Sequence, residues 1–197
     1  MNQALATSCL FGIKKVFDSL NIKFYPKYGT LLGMIREQNF IKGDNDIDLT
    51  MFATDWCSDL PEWLKLIGYK HCFTTFKGKI PVQVSLIRGK IRADIGLLYY
   101  YPPENTYVKL NKRLYDKWNC IPAIHFQGEH FIDFLGRKFR IYNKSEILLE
   151  NWYGPDWRIP TPRMTHSQHK LATQVNRNRG KRINLQEYMR YINDNSI

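Results

Sequence analysis

Acidic residues are scarce in this sequence: 18 Asp and Glu stand against 29 Lys and Arg over 197 residues, a formal charge of +11. Such a balance fits partners that carry negative charge, among them nucleic acid, an anionic membrane surface, nucleotides and phosphorylated polymers, and it speaks to association rather than to fold. Long apolar runs are missing too. Nowhere do about 18 apolar residues follow one another without a charge, so no membrane-spanning helix is encoded. The layout of a signal peptide is absent: no basic stretch precedes the apolar residues of Met1 to Phe11, which Thr7 and Ser8 interrupt and Lys14 and Lys15 follow. Cysteines are few and scattered (Cys9, Cys57, Cys72, Cys120), with no C-x-x-C pair, and the five histidines show no ligand spacing with them. Spacing therefore supports neither a zinc knuckle nor a redox motif. The expectation is a cytoplasmic protein with reduced thiols, peripheral at a membrane at most. Internal repeats, low-complexity tracts and the signatures of helix-turn-helix, zinc-finger or RNA-recognition modules are lacking as well.

What is present is a globular composition, 44% hydrophobic and 14% aromatic, enough to bury a core. Leu5, Cys9, Ile13, Val16, Phe17 and Leu20 recur at three- and four-residue steps and predict an amphipathic helix ending near Asn21. Ile22–Tyr25 reads as a short strand stopped by Pro26, and the glycine-bearing stretch Tyr28–Arg36 as a turn opening a short helix. Asp46–Met51 alternates with period two and predicts a strand with one polar face. Leu60–Ile67 reads as helix. Ile80–Ile87 and Ile91–Leu98, separated by Arg88-Gly89-Lys90, read as a hairpin. A strand pair is expected around Ile121–Phe126 and His130–Ile141, then a helix over Lys144–Trp152. Arg158 to Arg182 carries seven basic residues and no acid, so +7 of the +11 is confined to that run, and a last helix is expected at Leu185–Ile192.

One constellation carries chemistry. Asp44, Asp46 and Asp48 stand at alternate positions, and in an extended segment at least Asp46 and Asp48 project from the same face while Ile47 and Leu49 point to the core. Like charges that close repel unless a cation lies between them. A hard divalent ion, Mg²⁺ or Mn²⁺, bound by two carboxylates and substrate phosphates removes that repulsion, whereas a solvated acidic turn before an ordinary strand is the plainer alternative. Gly29-Thr30 lies at a strand-to-helix junction, where backbone N–H groups and the Thr30 hydroxyl suit a phosphate. Asp94, within the apolar pattern Ala93-Asp94-Ile95, is a candidate third carboxylate, and Arg92 shares its strand face.

Together these features closely resemble the LicD/fukutin family, a branch of the nucleotidyltransferase-fold superfamily. The likeness rests on Tyr28-Gly-Thr-Leu-Leu-Gly-Met-Ile-Arg36, Phe40-Ile41 and Asp44-Asn-Asp-Ile-Asp-Leu49, with a looser match at Trp152-Tyr153-Gly154-Pro155-Asp156-Trp157. Lys42-Gly43 replaces a common Pro-Trp pair, and Asn45 stands where members have a middle acid. The resemblance implies an α+β fold: a mixed sheet with flanking helices as a catalytic domain over 1–160, and a basic C-terminal extension over 161–197. It implies a transferase moving a phosphorylated small group, such as phosphocholine or ribitol phosphate, from a cytidine diphosphate carrier to a sugar or glycan hydroxyl. Asp46 and Asp48 would bind Mg²⁺ or Mn²⁺, and Asp94 would share a second ion or act as general base. Gly29, Thr30, Arg36 and Arg92 would contact phosphate, with a salt bridge to Asp44 the alternative for Arg36. Two other readings stand beside it: transfer of a nucleoside monophosphate to RNA, protein or a small molecule, and a non-catalytic basic module for nucleic acid. The extension would then steer an anionic substrate, carrier or membrane surface.

Overall fold

The computed structural model describes residues 2–110 and 120–160. Helix α1 (Gln3–Ser19) buries Cys9, Ile13 and Phe17 of the expected stripe together with Ala6 and Leu10, while Leu5, Val16 and Leu20 are partly buried at its margin. The Asn2 side chain caps it by accepting the Leu5 N–H at 3.1 Å. The chain then passes through β1 (Phe24–Pro26), the short helix α2 (Tyr28–Leu32) and a wider π-type turn (Gly33–Glu37) to reach β2 (Asp46–Phe52). Next come α3 (Leu60–Leu66) and the strands β3 (His71–Lys77), β4 (Ile80–Arg88), β5 (Ile91–Tyr101), β6 (Thr106–Lys109) and β7 (Cys120–Pro122). A separate hairpin, β8 (His130–Phe134) and β9 (Arg137–Ile141), precedes helix α4 (Ser145–Tyr153), which stops at Gly154 with φ +89°.

Seven strands form one mixed sheet in the order β1-β2-β5-β4-β3, with β6 against the far end of β5 and β7 beside β6. Only the central β2–β5 pair is parallel among the described strands. Pro26 is accommodated because β1 lies at the sheet edge, where a missing N–H costs no ladder bond. The expected hairpin forms through Gly89-Lys90, Gly89 supplying φ +61°. The expected pairing of 121–126 with 130–141 is corrected. Only Cys120–Pro122 is strand, and it pairs with β6, after which Ala123–Phe126 tightens into a 3₁₀ turn. The 130–141 run folds on itself instead, because Leu135 and Gly136 take the positive φ values (+50° and +79°) of a tight turn.

The sheet separates two environments. On one face Ile47, Leu49, Met51, Val84, Leu86, Ala93, Ile95 and Leu97 are all buried, packed with α1, α3 and the β8–β9 hairpin in a single apolar cluster. The other face is divided. Tyr25, Leu31, Leu32, Ile121, Tyr142, Leu148, Leu149 and Trp152 close part of it beneath α2 and α4, while Asp46, Asp48, Arg92, Asp94, Ser85 and Gln83 occupy the rest. Among the described residues no helix is long and apolar enough to cross a membrane. The basic run beyond Pro160, the helix expected at Leu185–Ile192 and the 161–197 extension lie outside the described residues.

Candidate active site

Strand alternation places Asp46 and Asp48 on the divided face, with Ile47 and Leu49 buried behind them. Asp48 is gripped by its backbone from the β1–α2 junction: its N–H donates to Thr30 Oγ1 at 2.9 Å, and its carbonyl accepts the Lys27 N–H at 2.8 Å. Thr30 is 4% exposed, so its hydroxyl serves first to hold the β2 acid in place. Gly29 has a steric reason to be glycine. A Cβ there would fall 2.5 Å from Asp44 Oδ2, so only a residue without a side chain lets the Asp44 carboxylate lie against the turn.

The parallel register sets Asp48 directly beside Asp94, and Asp46 beside Arg92. Arg92 Nε lies 3.1 and 3.0 Å from the two Asp94 oxygens. From the other side Ser85 Oγ donates to Asp94 Oδ1 at 2.6 Å, and Gln83 Nε2 donates to Ser85 Oγ at 2.9 Å. The row continues to Lys109, whose Nζ donates to Gln83 Oε1 at 2.8 Å. Leu98 pairs with Phe52 of β2 and with Lys109 of β6, so β6 lies on the same side of β5 as β4, and Lys109 is the next place along after Gln83.

Electrostatically the site is unbalanced. Burial, then the neighbouring Asp46 carboxyl, pushes Asp44 up to about 7. Asp48 is raised to about 6 by burial and by the charge of Asp46, against the pull of Lys109 and Lys27. Lys27 is enclosed, 2% exposed, and burial lowers it to about 7 with Lys109's charge adding to the effect and Asp48 opposing it. Lys109 is also lowered by burial, opposed by Asp48 and Asp94. Tyr153, at the end of α4, is held well above the usual phenol range by burial and by the charges of Asp48 and Asp44.

The structure therefore brings Asp44, Asp46, Asp48, Asp94, Arg92, Gly29 and Thr30 into one neighbourhood. Arg36 is committed elsewhere: Nε pairs with Glu37 at 2.6 Å and Nη1 donates to the Trp157 carbonyl at 2.9 Å, so its ion-pair partner is Glu37 rather than Asp44. Lys27, Lys109 and Tyr153 are the residues that sequence reasoning missed. Lys27 had a signal, being adjacent to the Tyr28-Gly29-Thr30 motif. Lys109 had none, because it reaches the acids only through the β5–β6 pairing. The carboxylates fit a hard divalent ion: Asp48 is partly desolvated beside Asp46, and a cation would relieve that repulsion. Among the described residues no three His, Cys, Asp or Glu side chains are gathered for a metal, so the fit is to an ion held by two carboxylates and completed by substrate oxygens and water.

The sequence model of a family described as LicD/FKTN/FKRP, nucleotidyltransferase domain, matches residues 21–144. Two curated relatives, ribitol-5-phosphate transferase FKTN of Macaca fascicularis and of Homo sapiens, are each 27% identical over 157 residues, 74% of this chain and 32% of theirs. The chain thus spans about a third of the length of the curated relatives it matches. Among solved structures, lincomycin-bound lincosamide antibiotic adenylyltransferase LnuA is similar with a TM-score of 0.51 at 15% identity, over 86% of this chain and 95% of its own. The solution structure of antibiotic-resistance factor ANT(2'')-Ia gives 0.50 at 12% identity, over 90% of this chain and 94% of that one. These likenesses concern the fold alone, and they make it nucleotidyltransferase-like.

Proposed function

This chain belongs to the LicD/FKTN/FKRP nucleotidyltransferase-domain family, and from that membership we propose that it transfers a phosphorylated small group, of phosphocholine or polyol phosphate type, from a cytidine diphosphate carrier to a sugar or glycan hydroxyl. The observation that carries this reading is the parallel β2–β5 register, which sets Asp48 beside Asp94 at the edge of the Gly29-Thr30 turn. Family relatives named as ribitol-5-phosphate transferases support the same class of reaction.

Asp46 and Asp48 would hold Mg²⁺ or Mn²⁺, which when bound neutralises charge on the diphosphate and on the leaving phosphate. Thr30 orders the Asp48 backbone, so the acid keeps its place against repulsion from its neighbours. Asp94, oriented by Ser85 and Arg92, would take the proton of the acceptor hydroxyl or share in ion binding. Arg92 and the backbone at Gly29 would face the phosphates.

Product mass tests the proposal. Incubation with CDP-ribitol or CDP-choline, a glycan acceptor and Mg²⁺ should add a phospho-substituent to the acceptor and release cytidine monophosphate. Addition of a whole nucleotide from a triphosphate would overturn it in favour of nucleotidyl transfer. Undiminished turnover in EDTA would remove the metal from the reading.

A further inference from the structure

Two amines in the site have no carboxylate ion pair among the described residues, and one of them, Lys27, has no hydrogen-bond partner there either. Lys27 Nζ is enclosed and donates to no hydrogen-bond acceptor among the described residues. The Tyr28 ring lies at 4.4 Å and the Trp152 ring at 6.0 Å, which favours a cation but leaves all three N–H donors without an acceptor among the described residues. Lys109 spends one donor on Gln83. Neither forms an ion pair with a carboxylate among the described residues. An unpaired ammonium in such surroundings is costly unless a ligand completes it.

A second observation concerns how Lys109 arrives. A Cβ on Gly96 would fall 2.7 and 2.8 Å from Lys109 Cδ and Cε, and 3.2 Å from Nζ. The lysine stem therefore lies directly across the bare backbone of Gly96, the β5 residue two places beyond Asp94 on the same face. Glycine inside a central strand weakens it, and at this position its benefit is the passage it leaves for the lysine.

We propose that Lys109 and Lys27 form an anion subsite for a phosphate group of the substrate, next to Asp48. Lys109 makes the direct contact with the two N–H donors that find no acceptor among the described residues, and Lys27 strengthens it when protonated. The subsite deepens the transferase reading and rests on it for the identity of its ligand, a diphosphate carrier. The donors are supplied by the chain itself, so phosphate recognition here does not require the divalent ion.

Calorimetric binding of inorganic pyrophosphate to the full chain, at low salt in EDTA, tests this. Lys109→Gln should weaken binding about tenfold or more, the loss expected for a charge-assisted hydrogen bond. Gly96→Ala keeps every charge and displaces only a flexible stem, so it should leave the fold intact and weaken binding several-fold. Lys27→Met should raise the melting temperature while lowering affinity, since it removes an unpaired buried amine; a purely structural lysine would lose stability instead. Asp46→Asn should not weaken pyrophosphate in EDTA. Wild-type affinity in both Lys109→Gln and Gly96→Ala, or no binding by the wild-type chain, overturns the subsite. The metal reading fails separately, if Mg²⁺ enhances binding no more in wild type than in Asp46→Asn.

Discussion

The two faces of the central sheet are built from the same strands and have opposite physical characters. On the face covered by α1 and α3, alternate residues of β2, β4 and β5 (Ile47, Leu49, Met51, Val84, Leu86, Ile95, Leu97) are buried apolar side chains. Their neighbours on the other face are Asp46, Asp48, Ser85, Gln83, Arg92 and Asp94, joined by Lys109. Each fully buried aliphatic or aromatic side chain on the closed face contributes about 1.5–3 kcal/mol relative to exposure. The open face gives up part of that stability to carboxylates that repel and to a buried Lys27 amine with no hydrogen-bond partner among the described residues. The difference teaches that β2 is held by one side so that the other can remain electrostatically unsatisfied, and thus ready for an ion and phosphates.

The two faces should fail in different ways. The largest effect belongs to the open one: Asp46→Asn and Asp48→Asn should each reduce turnover by about 10⁴-fold or more, over about 5 kcal/mol of barrier, with an unchanged circular dichroism spectrum. Near-normal turnover of both in Mg²⁺ would erase the distinction. On the closed face, Phe17→Ala removes a fully buried ring packed edge-on to Phe24 at 5.2 Å. It should cost about 3–5 kcal/mol in denaturant unfolding while leaving kcat of the folded fraction unaltered.

Acidity sharpens the contrast further. Asp48, raised to about 6 from 3.8, binds more proton in the folded than in the unfolded chain between those values. Its neutral form therefore favours folding below about pH 4, and that stability disappears as pH rises through 6. Metal-free protein should lose on the order of 2–3 kcal/mol across this window, an effect that Asp48→Asn or saturating Mg²⁺ abolishes in thermal melts. Lys27, lowered to about 7, has the opposite sign: folded chain binds fewer protons between about 7 and 10.5, so its contribution improves as pH climbs through that range. The smallest effect lies at the border of the two halves of the open face. Thr50 Oγ1 and the Tyr142 hydroxyl share a buried hydrogen bond of 2.9 Å, and Tyr142→Phe should cost about 1 kcal/mol with turnover intact; a large loss of turnover would mean that the aromatic half is part of the site.

Much of this is legible in the sequence. Alternation in Asp46-Ile-Asp-Leu49 announced both the strand and its acidic face, because side-chain direction in a strand depends only on parity. Helix α1 was legible from its stripe, and the β4–β5 hairpin from Gly89. Other features had no local signal. The run from 121 to 141 pairs differently from its pattern because two apolar alternating segments do not reveal which strand each will join. Lys109 stands among ordinary strand residues, and nothing near it indicates Asp94 or Gln83. For Arg36 the sequence offers a phosphate contact or a salt bridge to Asp44, and the folded chain adds two partners that it does not signal, Glu37 and the distant Trp157 carbonyl.

Local pattern in the sequence decided the elements and the acids: periodicity decides which residues are buried together, and alternation decides that Asp46 and Asp48 share a face. Tertiary structure alone decided which strands become neighbours. The parallel β2–β5 register that sets Asp48 beside Asp94, and the β5–β6 pairing that lays Lys109 across Gly96, join residues about 46 and 13 positions apart. Backbone hydrogen bonds are indifferent to side-chain identity, so local pattern cannot choose between alternative strand partners. That choice follows from burying the whole apolar face at once, and the chemistry of the opposite face follows from it.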